Sequence, residues 1–250
     1  MKRIIIEKQT QLNIWKILYY FLIYSFIGFL IETTFGLITK GVLESRQSLL
    51  IGPFCFIYGI SATLIIIFFN KYKNNIIKLF IGSIIICGLA EYLMSYICET
   101  LYSFKWWDYS HLFLNINGRI CLIYCIFWGI LGVFLIKQIN PLFTKIYYIF
   151  NKNYKLCNSI LLGIITFLFV DMYISNISLN MFSKKIANEF NIDTSNNTSY
   201  TYFEQIANKV IDVSALVKIY PNMQIVDKNN NSILISTLYP NTINYYYKIR

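Results

Sequence analysis

The stretch Ile76–Leu101, IIKLFIGSIIICGLAEYLMSYICETL, decides the fold class of this chain. Its only charged residues are Lys78, Glu91 and Glu99, and the remainder is dominated by Ile, Leu and other apolar side chains. At 1.5 Å per residue, a helix over this stretch would be about 39 Å long, enough to cross the roughly 30 Å hydrocarbon core of a bilayer. The stretch therefore predicts a membrane-spanning helix.

Comparable apolar stretches lie on both sides of this one. The 250-residue chain is 56% hydrophobic and 14% charged, too much apolar surface for one soluble core. The first stretch is predicted to be a retained span rather than a secretory signal, because it is too long, is followed by no cleavage site and contains Glu32. We predict an all-α, polytopic integral membrane helix bundle with about five transmembrane helices at residues 14–38, 50–69, 76–101, 119–139 and 156–179.

Basic residues are distributed unevenly between the two ends of these spans. The net charge is +10, but most Lys and Arg before residue 180 lie in the N-terminal segment and in the second and fourth loops. The exceptions are Lys40, Arg46, Lys105 and Arg119. The positive-inside rule then predicts a cytoplasmic N-terminus and an extracytoplasmic C-terminus. The basic charge thus indicates membrane topology and requires no nucleic-acid partner.

Four acids, Glu32, Glu91, Glu99 and Asp171, lie inside predicted spans. A charged side chain at the centre of a membrane helix costs roughly 2.5 to 3.5 kcal/mol, so such residues usually face protein or water and serve a function. The alternative is that Glu99 reaches the interface and that the other three are protonated or hydrogen-bonded packing residues. Small residues follow Glu32 and Glu91 at four-residue steps, which predicts that both acids face the bundle interior.

The loop before the fourth span mixes aromatic and hydrogen-bonding side chains. Arg119 enters the span with a permanent positive charge, so we expect it to pair with Glu32, Glu91 or Glu99. Gly52-Pro53 precedes Tyr58, an arrangement typical of interrupted membrane helices around binding sites. The aromatic residues could instead be interfacial anchors. The candidate substrate- or ion-binding residues are Glu32, Tyr58, Glu91, Glu99, Trp107, Asp108, Asn115, Asn117, Arg119 and Asp171.

The sequence resembles the putative ABC-transporter type IV, or CmpB-like, family of bacterial membrane proteins over about residues 14–140. The segments that carry the resemblance are Tyr24-Ser-Phe-Ile-Gly-Phe-Leu-Ile-Glu32, Gly52-Pro-Phe-Cys-Phe-Ile-Tyr-Gly59, Glu91-Tyr, Trp106-Trp-Asp-Tyr109, Asn115-Ile-Asn-Gly-Arg-Ile-Cys121 and Phe127-Trp-Gly129. The chain departs from the family at Phe29 and Phe56, where the family has tryptophan and proline. The resemblance implies a permease-like protein of the bacterial plasma membrane.

Known catalytic and cofactor-binding motifs are missing from the sequence. Without a Gly-x-x-x-x-Gly-Lys-Ser/Thr loop, any ATPase must be a separate partner chain. The six cysteines lie in or beside apolar spans, and the single histidine, His111, cannot form a zinc site alone, so we expect no metal and no cofactor.

Residues 181–250 differ from the rest of the chain in being rich in asparagine. We predict a small extracytoplasmic tail that is α+β or partly disordered. It would contain an amphipathic helix around residues 203–217 and a hairpin over Met223–Ser236.

Three functional hypotheses remain open at this point. The first is a permease or transporter component for an unknown small solute or ion. The second is an intramembrane enzyme acting on a lipid or isoprenoid from the outer leaflet, with a glutamate or His111 as general base and Arg119 holding a phosphate. The third is a scaffold subunit, in which case the intramembrane acids would be structural.

The topology can be tested by cysteine labelling in an otherwise cysteine-free variant. Because the first and third loops are predicted to lie outside, Ser45→Cys and Ser110→Cys should react with an impermeant thiol reagent added to intact cells. Asn74→Cys and Asn151→Cys should react only after the cells are permeabilised. The reverse labelling pattern would invert the predicted orientation.

Overall fold

A computed structural model of the chain describes residues 12–195, 199–242 and 247–248. Six helices make up the apolar part: α1 Ile14–Lys40, α2 Phe56–Phe69, α3 Ile76–Tyr102, α4 Leu122–Phe134, α5 Asn140–Phe150 and α6 Tyr154–Glu189. The described tail contains α7 Tyr202–Val210, α8 Val213–Ile219 and α9 Ile235–Leu238. Short strands are β1 Val42–Leu43, β2 Phe104–Lys105, β3 Gln224–Val226, β4 Ser232–Leu234 and β5 Tyr247–Lys248.

Three helical runs among the described residues are long and apolar enough to cross a membrane. They are Ile14–Lys40, Ile76–Tyr102 and Leu122–Glu189, and a shorter apolar helical run covers Phe56–Tyr72. The third run includes a π-helical turn and is interrupted by a 3-10 turn at Asn151–Asn153. Helix α6 alone would be about 54 Å long at 1.5 Å per residue. The expected five spans require this run to cross twice, with the 3-10 turn between the crossings.

Helix α2 begins at Phe56, six residues later than the start of the span predicted from hydropathy. Gly52 has φ of +93°, a conformation that favours glycine, and Pro53 cannot donate a backbone hydrogen bond. The non-helical segment is held by other groups: the amide of Phe56 donates to the Ser48 hydroxyl at 2.9 Å. The amide of Cys55 donates to the Ser25 carbonyl on α1 at 2.8 Å. Satisfied backbone groups thus allow an irregular segment between helices.

Asparagine side chains start three of the long helices. Asn13, Asn75 and Asn153 accept hydrogen bonds from the amides of Lys16, Lys78 and Leu156. These caps satisfy amides that have no partner within the helix. Helices α1 and α3 begin at the same end of the bundle, where their caps lie, and both end at the opposite end.

The end at which α1 begins is rich in tyrosine, and we call it the tyrosine end. Tyr20 shares a 2.6 Å hydrogen bond with Thr144 of α5, and Tyr24 donates to Asn140 at 3.2 Å. Buried Lys16 donates to Tyr148 at 3.1 Å. The opposite end, where α3 reaches Tyr102, carries the intramembrane acids, and we call it the acidic end.

The tail packs directly on the acidic end. Strands β2, β3 and β4 form an antiparallel sheet, so the segment after α3 pairs with the tail. Phe104 of β2, Phe182 of α6, Leu216 of α8 and Ile225 of β3 are fully buried in one apolar cluster. The boundary expected at residue 180 therefore falls inside α6, whose last turns form part of the tail core.

Glycine in α1 allows a close approach between α1 and α2. A Cβ at Gly28 would overlap the Cβ and Cγ atoms of Tyr58, whereas a Cβ at Gly163 in α6 would meet nothing within 4 Å. Close approach at small residues is a common basis of helix packing in membranes.

Gly28→Ala should therefore lower the free energy of unfolding by about 1 to 3 kcal/mol, because Tyr58 must be displaced. The matched control Gly163→Ala should be neutral or stabilising by up to about 1 kcal/mol, since alanine favours a helix. Thermal unfolding of the two purified variants measures the difference. Equal transition temperatures would contradict the observed packing.

Candidate functional site

Glu32 of α1 lies beside Tyr58 of α2. The Tyr58 hydroxyl donates to Glu32 Oε1 at 2.8 Å. Gly28 precedes Glu32 by one helical turn, and its missing side chain is what lets Tyr58 reach this position. The first acid is therefore held by a neutral donor from the neighbouring helix.

Glu91 of α3 is only 5% exposed and binds two neutral donors. Its Oε1 accepts a 3.0 Å hydrogen bond from the hydroxyl of Tyr109 in the loop before α4. Its Oε2 accepts a 3.0 Å bond from the indole Nε1 of Trp128 on α4. A buried carboxylate is thus connected to a helix and a loop that are distant in sequence.

Aromatic rings join these two acids into one site. The rings of Tyr58 and Trp128 lie 4.8 Å apart, so the donors of the two acids touch each other. Glu32 and Glu91 interact electrostatically, and we call them the acid pair. Among the described residues, neither acid forms a salt bridge.

A separate ionic cluster lies further toward the acidic end of α3. Arg119 Nη2 is 2.7 Å from Glu99 Oε2, and Lys105 Nζ is 3.7 Å from the same oxygen. The guanidinium also lies over the rings of Tyr92 and Tyr96. The expected pairing of Arg119 with one of the three glutamates is confirmed, and Glu99 is the partner.

The candidate residues of the loop mainly hold the loop in shape. Trp107 Nε1 donates to the Arg119 carbonyl at 2.9 Å, and Asn115 Nδ2 donates to the Leu112 carbonyl at 2.9 Å. Asn117, in a left-handed conformation with φ of 53°, donates to the Tyr92 hydroxyl at 2.8 Å. This network orients Arg119 and Tyr109 toward α3.

Asp108 closes the turn at the start of this loop. Its Oδ1 accepts from the Ser110 amide at 2.9 Å, and its Oδ2 accepts from the Ser232 hydroxyl of the tail at 3.3 Å. Partial burial acts to raise the pKa of Asp108, but the hydrogen bonds from Ser110 and the charge of Lys105 outweigh it and lower the pKa. Asp108 therefore links the loop to the tail as a carboxylate.

Asp171 of α6 holds the irregular segment before α2. Its Oδ2 accepts from the Ile51 amide at 3.1 Å, and the neighbouring Ser175 hydroxyl accepts from the Leu50 amide at 2.9 Å. Asp171 is 2% exposed. Its contacts therefore anchor the backbone of that segment, and the structure does not bring this acid to the acid pair.

Comparison with known families gives this arrangement a context. The family model described as putative ABC-transporter type IV matches residues 19–176, well over half of the chain. The chain belongs to this family. The match runs past the expected limit at residue 140 and includes α6 as far as residue 176, with Asp171, whereas the end of α6 and the tail lie outside it. No curated protein and no solved structure matches the chain.

Two donors that complete the site in this family member were not among the residues selected from the sequence. Trp128 and Tyr109 both bind Glu91, although both lie in segments that carry the family resemblance. A tryptophan within an apolar span is easily taken for a lipid-facing or packing residue. The sequence did contain a signal for these two donors. An intramembrane acid needs hydrogen-bond donors, and neighbouring segments contain aromatic N–H and O–H groups.

Within the described residues, no group of three or more His, Cys, Asp or Glu side chains is arranged to hold a metal ion. His111, the alternative general base, is exposed and lies in the loop.

The Glu99–Arg119 pair should contribute to stability. The two side chains are 16% and 12% exposed, so Glu99→Gln should leave a largely buried guanidinium without its counter-charge and cost about 1 to 3 kcal/mol. The control is Asp193→Asn, which removes an ion pair with Lys228 whose side chains are 76% and 56% exposed. That variant should change stability by less than about 1 kcal/mol.

Thermal unfolding of both variants, with Arg119→Gln and the double variant added to complete a mutant cycle, measures the coupling. A Glu99→Gln shift no larger than that of Asp193→Asn would show that the pair is not a stabilising contact.

Proposed function

We propose that this protein is a permease component whose acid pair binds a cation or proton during transport. The observation that carries the proposal is the pairing of Glu32 and Glu91 with neutral donors only. Family membership supports a transport role, since the family is described as a putative ABC-transporter type.

Two other acids near this end of the bundle, Glu44 and Glu99, provide a contrast, whereas buried Asp171 is bound by the Ile51 amide and the Ser175 hydroxyl. Glu44 is 2.6 Å from Arg46 and 3.2 Å from Lys40, and Glu99 is bound by Arg119. A carboxylate in a low-dielectric region is costly unless it is compensated. The acid pair lacks such a fixed cation among the described residues, so a mobile positive charge is the natural compensation.

The proposed orientation follows from the distribution of basic residues. We infer that the acidic end faces outward, that the tail is extracytoplasmic and that the protein resides in a bacterial plasma membrane. The acid pair would then be reached from outside. Because no phosphate-binding loop is present, a separate ATPase chain or another membrane subunit is the partner that an ATP-driven mechanism would require.

The hypothesis of an intramembrane enzyme depended on Arg119 as a phosphate-binding residue. In the structure this guanidinium is bound to Glu99, lies over two tyrosine rings and has Lys105 close to the same carboxylate. Its charge is therefore neutralised within the protein through Nη2, although its Nε has no hydrogen-bond partner among the described residues. This neutralisation favours the permease hypothesis.

Replacement of Glu91 by glutamine should abolish function and leave protein abundance nearly unchanged. Glutamine can accept from Trp128 through Oε1 and donate to the Tyr109 hydroxyl through its amide, so both contacts survive while the charge is lost. Glu91→Ala should instead reduce abundance, because it leaves both donors unsatisfied at a cost of about 1 to 3 kcal/mol each.

The measurement is an untargeted metabolite and lipid profile of cells with and without the gene, complemented by wild type or by each variant. Asp193→Asn is the control and should complement fully, because its carboxylate is far more exposed. Full complementation by Glu91→Gln would rule out a role for the negative charge.

A further inference from the structure

We propose that the positive charge bound by the acid pair is a proton, and that a column of small polar side chains on α3 passes it toward the tyrosine end. This inference rests on the proposed function and specifies its ion. Two observations support it independently: the chemistry of the groups around the acid pair, and buried hydroxyl and thiol groups below Glu91.

The donors around the acid pair favour a proton over a metal ion. An indole N–H can only donate, so Trp128 directs a hydrogen at Glu91 Oε2 whether or not the other oxygen carries a proton. Tyr58 and Tyr109 direct hydroxyl hydrogens at Oε1 of Glu32 and Oε1 of Glu91. Each of these hydrogens occupies one lone pair of a carboxylate oxygen, which leaves fewer for calcium, magnesium or a similar ion, each of which requires several oxygen ligands.

A proton can be accommodated without rebuilding this geometry. When a hydronium ion transfers a proton to Glu91 Oε1 and is left as water, the new O–H group donates to the Tyr109 oxygen, and the Tyr109 hydroxyl hydrogen rotates away. The bond from Trp128 to Oε2 is unchanged. Release of the proton from Oε1 to a water or hydroxyl oxygen restores the carboxylate and the original hydrogen bond.

A polar column continues from Glu91 along α3. Cys87 and Ser83 follow at four-residue steps toward the tyrosine end, and both are fully buried. Among the described residues the Ser83 hydroxyl has no hydrogen-bond partner, and it lies against Gly132 of α4, where any side chain would overlap it. Buried hydroxyl groups are normally paired, so an unpaired one is a position for a water or a transferred proton.

The second span contributes to the same column. The hydroxyl of Ser61 on α2, 1% exposed, lies near the Cys87 thiol but has no hydrogen-bond partner among the described residues. Serine, cysteine and water oxygen or sulfur atoms can each accept one proton and give up another, as a relay requires. The column is therefore lined from both α2 and α3.

An apolar layer closes the column in this conformation. Ile65 and Ile66 of α2 and Leu79 of α3 are at most 2% exposed and pack together with Tyr20 and Tyr24. The hydroxyl of Tyr24, which packs in this layer, donates to Asn140 of α5. An apolar layer between two polar regions prevents a continuous leak of protons. A proton could then pass only when a conformational change opens this layer.

Several other titratable groups face the acid pair. Cys55 and Tyr58 approach from the α2 side, Cys87 from α3, and Tyr109, Tyr124 and Cys125 from the loop and α4. The guanidinium of Arg46 lies against Gly36, one turn along α1 from Glu32, but is bound to Glu44 at 2.6 Å. Except for Glu32 and Glu91 themselves, the titratable groups named here are thiols, phenols and one guanidinium that is already bound to Glu44.

Infrared difference spectroscopy of the purified full-length protein in lipid films tests the bound ion directly. Between about pH 5 and about pH 9, above the ordinary titration of exposed carboxyl groups, wild type should lose the carbonyl stretch of a protonated carboxylic acid. The band should shift in D₂O, disappear in Glu91→Gln and persist in Asp193→Asn. Sodium, potassium, magnesium or tetramethylammonium at constant pH should leave it unchanged.

Three outcomes would overturn the proton assignment: no carboxylic-acid band at any pH, a band that pH does not change, or a band that one of the added cations removes. If any of these three outcomes is found and Glu91→Gln also fails to complement cells without the gene, the permease proposal still holds and only the proton assignment is wrong. A titrating band combined with full complementation by Glu91→Gln would instead overturn the permease proposal.

The relay is tested separately by Ser83→Ala, with Ser25→Ala as the matched control. Both serines are fully buried, and neither hydroxyl group has a hydrogen-bond partner in the part of the chain that the structure describes. Ser25 lies on α1, however, where its side chain faces Gly59 rather than the column. Ser83→Ala should complement several-fold less well than Ser25→Ala at equal abundance. Equal complementation by the two variants would exclude Ser83 from the path.

Discussion

Two hydrogen bonds to the buried Glu91 carboxylate determine how the acidic end is assembled. Through Tyr109 and Trp128 this one side chain connects α3 to the loop before α4 and to α4 itself. In an apolar environment a polar side chain without a hydrogen-bond partner costs free energy. The acid is therefore stable only where its donors can reach it, and the donors only where they can reach the acid. Tyr58, packed on Trp128, extends the same network to Glu32 and α1.

Polar contacts serve the same purpose elsewhere in the bundle. Asp171 and Ser175 hold the backbone amides of an irregular segment, which allows a helix to begin after Gly52-Pro53. Arg119 and Glu99 neutralise each other where the loop enters α4. The hydrophobic effect does not distinguish one apolar helix from another in lipid, so contacts of this kind and the close approaches at Gly28, Gly59 and Gly132 select the neighbours.

Hydropathy was sufficient to locate the long helices, because a segment can span a bilayer if it is long enough and sufficiently apolar. The pairing of Arg119 with a glutamate could also be predicted, since a guanidinium entering an apolar helix needs a counter-charge. The identity of the partner could not be predicted, because it depends on the shape of a loop with left-handed residues at Leu114 and Asn117. Trp128 was not predicted as a donor to Glu91 for a related reason. The hydropathy of a span does not reveal the direction in which an indole N–H points.

The sheet formed by β2, β3 and β4 joins two parts of the chain separated by more than a hundred residues. Phe104 and Lys105 of β2, which immediately follow α3, pair with Ile225 and Gln224 of the tail, and Phe104 is buried in the tail core. The connection between α3 and the loop that carries Tyr109 is thus part of a sheet that it shares with the tail. A displacement of the tail would therefore also displace, through this sheet, the loop that supplies Tyr109 to Glu91.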